Sequence, residues 1–247
     1  MIALRNDEEI AAIRSAGRIV ASALALLKKH IKIGVQTKEL DALARQEILK
    51  HSGYPAFKGY KGFPANICTS VNEVVVHGIP SARRLRDGDI VSLDAGVKFR
   101  DYFADGAITV GVGAVSPAAE KLMRVTEKAL HIGIANALPG RRLSDVSAAI
   151  QAHVESNGFS IVRVFVGHGI GAKIHEEPEI PNYRTSRPGP VLEPGMVLAI
   201  EPMVNAGTCD VEILEDGWTA VTKDRKLSAH FEHTIVIREG GAEILTV

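Results

Sequence analysis

The sequence predicts an α+β fold made of two similar halves, because the chain repeats itself once and places helices before strands in each half. The segment Leu85–Asp94 matches Leu192–Glu201 at an offset of 107 residues, and in both copies an acid follows a turn glycine by six positions. Upstream, Gly34 and Gly140 match at an offset of 106. No linker-like segment divides the chain, so we expect one domain over residues 1–247 with repeats of about 1–112 and 113–247.

Each half begins with a pair of predicted amphipathic helices. Asn6 can cap the first helix, with Glu9 three residues later to complete a capping box, and Thr37 begins the second. In the second half, Ser116 precedes a first-turn proline, and Ser144 opens the fourth helix. All four segments carry apolar residues at helical spacing, so each helix should bury one face.

Runs rich in β-branched residues follow each helix pair, and we expect them to form mainly antiparallel strands. The expected strands are Ile67–Val76, Ile90–Val97 and Tyr102–Val112 in the first half, and Ile161–Val166, Met196–Val204, Trp218–Val221 and Ala229–Ile237 in the second. Because the two halves match, a pseudo-twofold sheet would bring Asp94 and Glu201 to equivalent places near its centre.

Composition and charge exclude several classes of protein. The 29 basic and 29 acidic residues balance, so no charged surface indicates nucleic acid. The N-terminal segment is charged where a signal peptide is apolar, and the uncharged run Ile19–Leu27 is too short to cross a bilayer. Cys68 and Cys209 are too few for a disulfide framework. We therefore expect a cytoplasmic protein without a membrane or nucleic-acid partner, and a monomer.

Four acids lie inside strand-like apolar runs, where a solvated surface position is a poor explanation. Asp94 ends one run, and Glu201 occupies the matching place in the second half. Asp105 follows Asp94 by eleven residues, which lets a turn place the two side by side. Glu232 alternates with His230 on one face of its strand. Buried carboxylates are costly unless cations or hydrogen-bond donors compensate them.

Three histidines strengthen the case for a metal centre. His77 ends a β-branched run, and His168 and His175 lie in a glycine-rich segment that permits close backbone approach. Four carboxylates and one imidazole balance two divalent ions in formal charge. Such an oxygen-rich set favours Mn²⁺, Fe²⁺ or Co²⁺, with Zn²⁺ as an open alternative. Two such ions can share and deprotonate one water near neutral pH.

Motifs of other hydrolases and of nucleotide sites are missing. The chain has no His-Glu-x-x-His and no Gly-x-Ser-x-Gly, which argues against a zincin and against a serine hydrolase. The glycine-rich segment at residues 167–171 does not form Gly-x-x-x-x-Gly-Lys-Ser/Thr, so it is not a phosphate loop. These absences argue against the other site types and leave the metal centre as the interpretation of the acids and histidines.

The motifs together resemble those of type I methionine aminopeptidases of the bacterial kind, over essentially the whole chain. The matching segments are Asn72–Pro80, Asp94 with Asp105, Gly167–Gly171 with His175–Pro178, Ile200–Gly207 and His230–Thr234. The resemblance implies the pita-bread, or creatinase-like, fold of subfamily A of peptidase family M24 in a single catalytic domain. It also implies removal of the N-terminal methionine from new proteins when the second residue is small and uncharged.

The resemblance further implies roles for individual residues. The metal ligands would be Asp94, Asp105, His168, Glu201 and Glu232, with Asp105 and Glu232 bridging two ions. Glu201 would also help to move the proton of the attacking water. His175 would contact the substrate carbonyl and the developing oxyanion, while His77 would contact the substrate and assist the leaving amine.

A methionine pocket is implied in the same way. Its lining would be Tyr60, Phe63, Cys68 and Trp218, with Phe57 and Ile174 nearby, and plain core packing is the alternative for these residues. Ile174 is aliphatic where some relatives carry an aromatic residue, which leaves the shape of the pocket open there. A monovalent cation site would lie near Asn72, Val74 and Ser228. The expected partners are nascent peptides that begin with Met, with transient contact to the ribosome.

Two other interpretations of the same fold stay open. A prolidase, aminopeptidase P or creatinase would act on other substrates, although those enzymes usually carry an additional N-terminal domain. A non-catalytic module of this fold would bind peptides without cleaving them, but such modules typically lose metal ligands, and all five are present here.

Overall fold

Four helices form where capping residues and apolar periodicity predict them. The computed structural model describes residues 2–247 and contains α1 (Asp7–His30), α2 (Thr37–Lys50), α3 (Pro117–Asn136) and α4 (Leu143–Ser156). The Asn6 side chain accepts from the backbone N–H of Glu9, and the Glu9 carboxylate accepts from the backbone N–H of Asn6, which completes the capping box of α1. α4 begins one residue before the expected Ser144, because the Asp145 carboxylate accepts from the backbone N–H of Arg142.

The two helix pairs occupy matching places in the chain. α2 and α4 each contain 14 residues and begin 106 residues apart. A β-bridge at the start of each helix joins Gln36 to Arg84 and Arg142 to Val191, which correspond at offsets of 106 and 107. The repetition that the sequence indicates is therefore present in the folded helix pairs.

The strands form one large sheet and two small ones. They are β1 (Tyr54–Pro55), β2 (Cys68–Val71), β3 (Val74–Val76), β4 (Ile90–Phe99), β5 (Tyr102–Gly111), β6 (Ser160–Ile161), β7 (Gly167–Gly169), β8 (Glu176–Ile180), β9 (Val197–Ile200), β10 (Met203–Asn205), β11 (Val211–Ile213), β12 (Ala220–Thr222), β13 (Ser228–His230), β14 (Glu232–Arg238) and β15 (Gly241–Ile244). Nine strands pair in the order β1-β4-β5-β14-β9-β7-β8, with β2 beside β4 and β15 beside β14. The small sheets are β13-β10-β6 and β11-β12-β3.

The antiparallel register joins the two halves through one strand. β14 pairs with β5 of the first half and with β9 of the second, antiparallel in both cases. The long hairpin of β4 and β5 supplies most of the first half of the sheet. This arrangement confirms the mainly antiparallel α+β fold that the sequence predicts.

The helices cover the sheet and create two apolar cores. α1 packs against β4 and β5, where Ile13 and Val20 are fully buried, and α3 packs against α4 over a second core. Gly17 lets α1 approach the C-terminal segment, since a Cβ at this position would lie 2.2 Å from the carbonyl oxygen of Leu245. The cores therefore support the sheet beneath the polar residues described below.

Helix α1 contains more apolar sequence than the uncharged run Ile19–Leu27 indicates. Within residues 2–247, one helix is long and apolar enough to span a membrane by length and composition, and it is α1, with a mean hydropathy of 1.6 over 18 residues. Half of that stretch is buried, and the helix packs against β4, β5 and α2. Its apolar face therefore belongs to the core of the fold.

Several strand predictions for the second half were wrong in their bounds. The run Ile161–Val166 is strand only at its first residue, and the glycine-flanked His168 that follows lies in β7. β8 was not predicted, because exposed glutamates alternate there with only two buried residues, Pro178 and Ile180. The run Met196–Val204 divides into β9 and β10 at Pro202, which has no N–H to donate to a ladder.

Candidate metal centre

One cavity of about 170 Å³ collects nearly all of the residues that the sequence singles out. It is lined by Phe57, Tyr60, Lys61, Phe63, Cys68, His77, Asp94, Asp105, His168, His175, Glu201, Trp218 and Glu232. The structure thus brings together the five expected metal ligands, both expected substrate-contacting histidines and the four expected pocket residues. Ile174 lies apart, buried in the first core and lining a neighbouring cavity beside Tyr60 and His175.

The sheet register explains why the acids converge. Asp94 of β4 and Glu232 of β14 both lie opposite Ala107 of β5. Asp105 precedes Ala107 by two residues, so its side chain lies on the same face. Because Ile200 of β9 pairs with the residue after Glu232, the next position of that register brings Glu201 opposite Glu232. The acids therefore form a row across neighbouring strands, with the small Ala107 side chain at its centre.

His168 completes this face from β7. It pairs with Ala199, two residues before Glu201. Its Nε2 lies 3.5 Å from Oδ2 of Asp105 and 3.5 Å from Oε1 of Glu201. Ligand atoms of Asp105, His168 and Glu232 lie within 4.8 Å of one another. The Nδ1–H of His168 donates to the carbonyl oxygen of Gly169 at 2.9 Å, which leaves the lone pair of Nε2 directed at the acids.

Few hydrogen-bond donors compensate the four acids. Asp105 and Glu232 are only 3% and 4% exposed. The Thr234 hydroxyl lies 3.1 Å from Oδ1 of Asp105, and the Cys68 thiol contacts Asp94, whose Oδ1 is buried without a partner. A buried carboxylate with an unpartnered oxygen is strongly disfavoured in its charged form. The donor set therefore fits divalent cations, which would supply the missing positive charge.

Burial shifts the protonation of this cluster toward neutral forms. Desolvation raises the pKa of Asp105 to about 6 and raises the pKa values of Asp94, Glu201 and Glu232 well above their usual range. The negative charge of Asp105 adds to the effect at the other three acids. Burial lowers the pKa of His168 to about 4, so its imidazole is neutral and able to ligate a metal at neutral pH.

Two further neutral histidines border the cavity. The Nδ1 of His175 lies 2.9 Å from the Tyr60 hydroxyl, its ring stacks on Tyr60 and it lies 4.2 Å from the His168 ring. Partial burial lowers its pKa to about 4. His77 meets the Trp218 ring edge-on at 6.0 Å, and burial lowers its pKa as well. Neutral imidazoles can donate or accept a proton beside a reacting group.

An apolar subsite adjoins the acids. Phe63 and Trp218 meet edge-to-face at 5.1 Å, and Cys68 lies opposite Asp94 in the register of β2 and β4. Phe57 rests on Gly96, where a Cβ would lie 2.5 Å from the phenyl ring. Its ring therefore lines the cavity as well as packing on the sheet. The subsite is apolar at one end and bounded by carboxylates at the other.

Two residues near this centre have no role that the sequence indicates. Lys61 lines the cavity beside Tyr60 and adopts a left-handed φ of 48°, for which the sequence gives no signal beyond its neighbours. His230 is buried with its Nε2 3.8 Å from Oε2 of Glu201. Its alternation with Glu232 was the available signal, although β13 and β14 break between the two at Phe231.

The three residues expected near a monovalent cation lie close together in the fold. The carbonyl oxygen of Asn72 accepts from the backbone N–H of Ser228 at 2.9 Å, and Asn72 adopts a left-handed φ of 59°. Val74 pairs with Val221 in the small sheet. The three positions therefore lie near one another on the side of β3.

Comparisons with known proteins agree with this chemistry. Residues 11–239 match metallopeptidase family M24. The chain is 53% identical to a methionine aminopeptidase of Clostridium perfringens over 247 residues, which covers 100% of this chain and 99% of the relative. It is 54% identical to methionine aminopeptidase 1 of Bacillus subtilis over 246 residues, covering 100% and 99%.

Two solved structures with this fold differ in how similar their sequences are to this chain. A methionine aminopeptidase from Thermotoga maritima superposes with a TM-score of 0.98 at 47% identity, covering 100% of this chain and 99% of that chain. A prolidase from Pyrococcus furiosus superposes with a TM-score of 0.80 at 23% identity, covering 99% of this chain and 65% of that chain, and so shares the pita-bread fold alone. Sequence identity and a shared fold over the full chain lead to one assignment: the chain belongs to metallopeptidase family M24 and, within it, to the methionine aminopeptidases.

Proposed function

We propose that the chain removes the N-terminal methionine from newly made polypeptides. The observation that carries this proposal is the cavity itself, in which an apolar subsite ends at four buried carboxylates on one face of the sheet. The subsite suits a long, unbranched thioether side chain. The carboxylates lie where the scissile peptide bond of a bound N-terminal residue would be placed.

Asp94, Asp105, His168, Glu201 and Glu232 would hold two divalent ions. Their formal charge of −4 balances two ions, and the buried, unpartnered Oδ1 of Asp94 is explained by a cation. Bound there, such ions supply a water nucleophile at neutral pH and polarise the scissile carbonyl. We favour Mn²⁺, Fe²⁺ or Co²⁺ for this oxygen-rich set, with Zn²⁺ as the alternative, and a monovalent cation near Asn72, Val74 and Ser228.

The side chains around the acids would carry the proton transfers. Glu201, ionised when it ligates a metal, can accept the proton of the attacking water, because burial raises its pKa and so makes its carboxylate a stronger base. If the Tyr60 hydroxyl donates to Nδ1 of His175, the imidazole keeps its proton on Nε2 and can donate to the developing oxyanion. The neutral His77, at the opposite end near Trp218, would contact the substrate and assist the leaving amine.

The same geometry supports selectivity at the second substrate residue. A bulky side chain at that position would collide with the residues that hold the carbonyl, and a displacement of about 1 Å can reduce the rate on the order of a hundredfold. An apolar pocket alone discriminates weakly, by about 1–3 kcal/mol per methylene, so norleucine should be accepted in place of methionine. Rejection of branched leucine must come from the shape of the pocket. We place this activity in the cytoplasm of a monomeric enzyme that meets nascent chains at the ribosome.

Peptides that differ only at the second residue test the proposal. With Mn²⁺ or Co²⁺ added, mass spectrometry should show methionine released from Met-Ala-Ser but not from Met-Lys-Ser, and excess chelator should stop the reaction. Asp105→Asn should lose the activity, whereas Asp101→Asn, in the exposed turn of the same hairpin, should keep it. Equal trimming of both peptides, or preferred cleavage of a proline dipeptide, would contradict the proposal, as would full activity in metal-free protein.

A further inference from the structure

His230 is a buried residue whose ring has no assigned partner. It is 2% exposed, and its Nε2 has no hydrogen-bond partner. The carboxyl oxygen facing it is Oε2 of Glu201, at 3.8 Å. Burying an imidazole nitrogen without a partner is unfavourable, so a position that keeps one requires an explanation.

Hydrogen bonds on both sides hold the backbone of His230 in place. Its N–H donates to Oγ1 of Thr109 at 2.9 Å, and the Thr109 hydroxyl donates back to the His230 carbonyl at 2.7 Å. Ser92 lies 2.9 Å from the same hydroxyl and supplies the remaining hydrogen bond. A threonine hydroxyl has one proton and two lone pairs, so the Thr109 hydroxyl has no further hydrogen bond to offer the His230 ring. β13 is further held by pairing of His230 with Met203 on β10.

The separation from Glu201 excludes a bridging water. Two hydrogen bonds of about 2.8 Å that meet at a tetrahedral angle hold their outer atoms about 4.5 Å apart. The observed 3.8 Å is shorter than that and exceeds a direct N–H···O bond by only about 1 Å. Closing this gap requires the two side chains to approach by about 1 Å.

The two oxygens of Glu201 face different partners. Oε1 lies 3.5 Å from Nε2 of His168, within the group of expected metal ligands, while Oε2 faces His230. Without a partner for Oε2, the carboxylate can rotate and withdraw Oε1 from the centre. Hydrogen bonds from residues behind a metal ligand typically fix its orientation in this way.

We propose that His230 is a positioning residue, whose Nε2–H donates to Oε2 of Glu201 and holds Oε1 toward the metal centre. This inference rests on the proposed function only in taking Glu201 as a metal ligand. The inference predicts that metal affinity depends on a hydrogen-bond donor at position 230 and not on the imidazole ring itself. Removing the donor should weaken metal binding by about 10–100-fold.

Two variants of similar volume separate the donor from the packing. His230→Gln keeps an N–H near the position of Nε2, and His230→Leu has none. Isothermal titration of Mn²⁺ into metal-free protein should give the glutamine variant an affinity near that of the unaltered chain, and the leucine variant a loss of about 10–100-fold. His153→Leu is the matched control, because its Nε2 is also buried without a partner but lies on α4 away from the centre.

The titration uses no peptide, so it separates this inference from the proposed function. If the unaltered chain binds Mn²⁺ but does not cleave Met-Ala-Ser, the proposed function fails while the role of His230 is still decided. Equal Mn²⁺ affinity in the glutamine and leucine variants would overturn the inference, whether both match the unaltered chain or both are weakened. A loss of affinity in His153→Leu equal to that in His230→Leu would overturn it as well, since the effect would then be a general one.

Discussion

Metal binding should release protons, and the stabilisation that the metal confers should therefore grow with pH. The cause lies in the buried acids, because burial raises their pKa values in the folded protein. The pKa of Asp105 rises to about 6, and those of Asp94, Glu201 and Glu232 rise well above their usual range. A carboxylate must be ionised to ligate a metal, so each acid that is protonated beforehand loses its proton on binding. Metal affinity then rises tenfold per pH unit for each proton released.

The sign for the metal-free protein follows from the same pKa values. Near neutral pH the folded protein keeps protons on acids that are fully ionised in the unfolded chain, so its free energy of unfolding falls as pH rises. Histidines act in the opposite direction. Burial lowers the pKa values of His168, His175 and His233 to about 4 and that of His230 to about 3. Their contribution is complete well above pH 6.5 and is lost as pH falls toward the folded values.

Comparing metal-loaded with metal-free protein cancels the histidine contribution. Asp105, with a pKa of about 6, is one source of released protons, and the raised pKa values of Asp94, Glu201 and Glu232 make those acids further sources. Each proton released adds about 1.4 kcal/mol of stabilisation per pH unit. For a chain of 247 residues this corresponds to roughly 3–6 °C in melting temperature. We expect release of at least one proton.

Scanning calorimetry at pH 6.5 and 7.5 measures this pH dependence. At each pH, one sample contains excess chelator and the other a fixed excess of Mn²⁺. The difference in melting temperature between the two samples should be at least about 3 °C larger at the higher pH. Titration of Mn²⁺ in buffers of different ionisation enthalpy counts the protons directly. If the difference in melting temperature were independent of pH and no protons were released, the reasoning would be refuted. The buried acids would then not be protonated before the metal binds.

Two further tests address separate parts of the site. His175→Ala should lower kcat about 10²–10³-fold without changing metal content, whereas His168→Ala should lower metal content, as elemental analysis would show; the opposite pattern would mean that the two roles are exchanged. Gly96→Ala should push the Phe57 ring out of place, raising KM for methionine peptides and lowering stability by about 1–3 kcal/mol. Gly240→Ala, where an added Cβ meets nothing within 4 Å, is the control, and equal behaviour of the two variants would contradict a role for Phe57.

The acids could be found from the sequence because each interrupts an apolar run. Asp94 and Glu201 also occupy matching places in the repeated segment, so their equivalence could be predicted before the strands were known to pair. The pairing of Asp94 and Glu232 across Ala107 could not, because register depends on contacts between strands far apart in the sequence. The sequence therefore predicts the composition of the centre better than its geometry.

The remaining differences have the same origin. β8 carries glutamates on its exposed side and owes its extended form to pairing with β7, which local propensity does not reveal. The isolation of His230 is a property of the folded neighbours, Thr109 and Glu201, which lie far from it in the sequence. Lys61 reaches the cavity through a left-handed turn that many residue types could occupy only at a cost.

The duplicated architecture explains why neither half forms the centre alone. The β4–β5 hairpin of the first half supplies Asp94 and Asp105, and the second half supplies His168, Glu201 and Glu232. β14 is the strand that joins the halves, since it pairs with both β5 and β9. Separating the halves would leave two carboxylates on each side, with too little charge to hold two divalent ions. The candidate metal centre thus lies at the seam between the repeats, and the buried, unpaired Oδ1 of Asp94 at that seam is an atom that metal binding would satisfy.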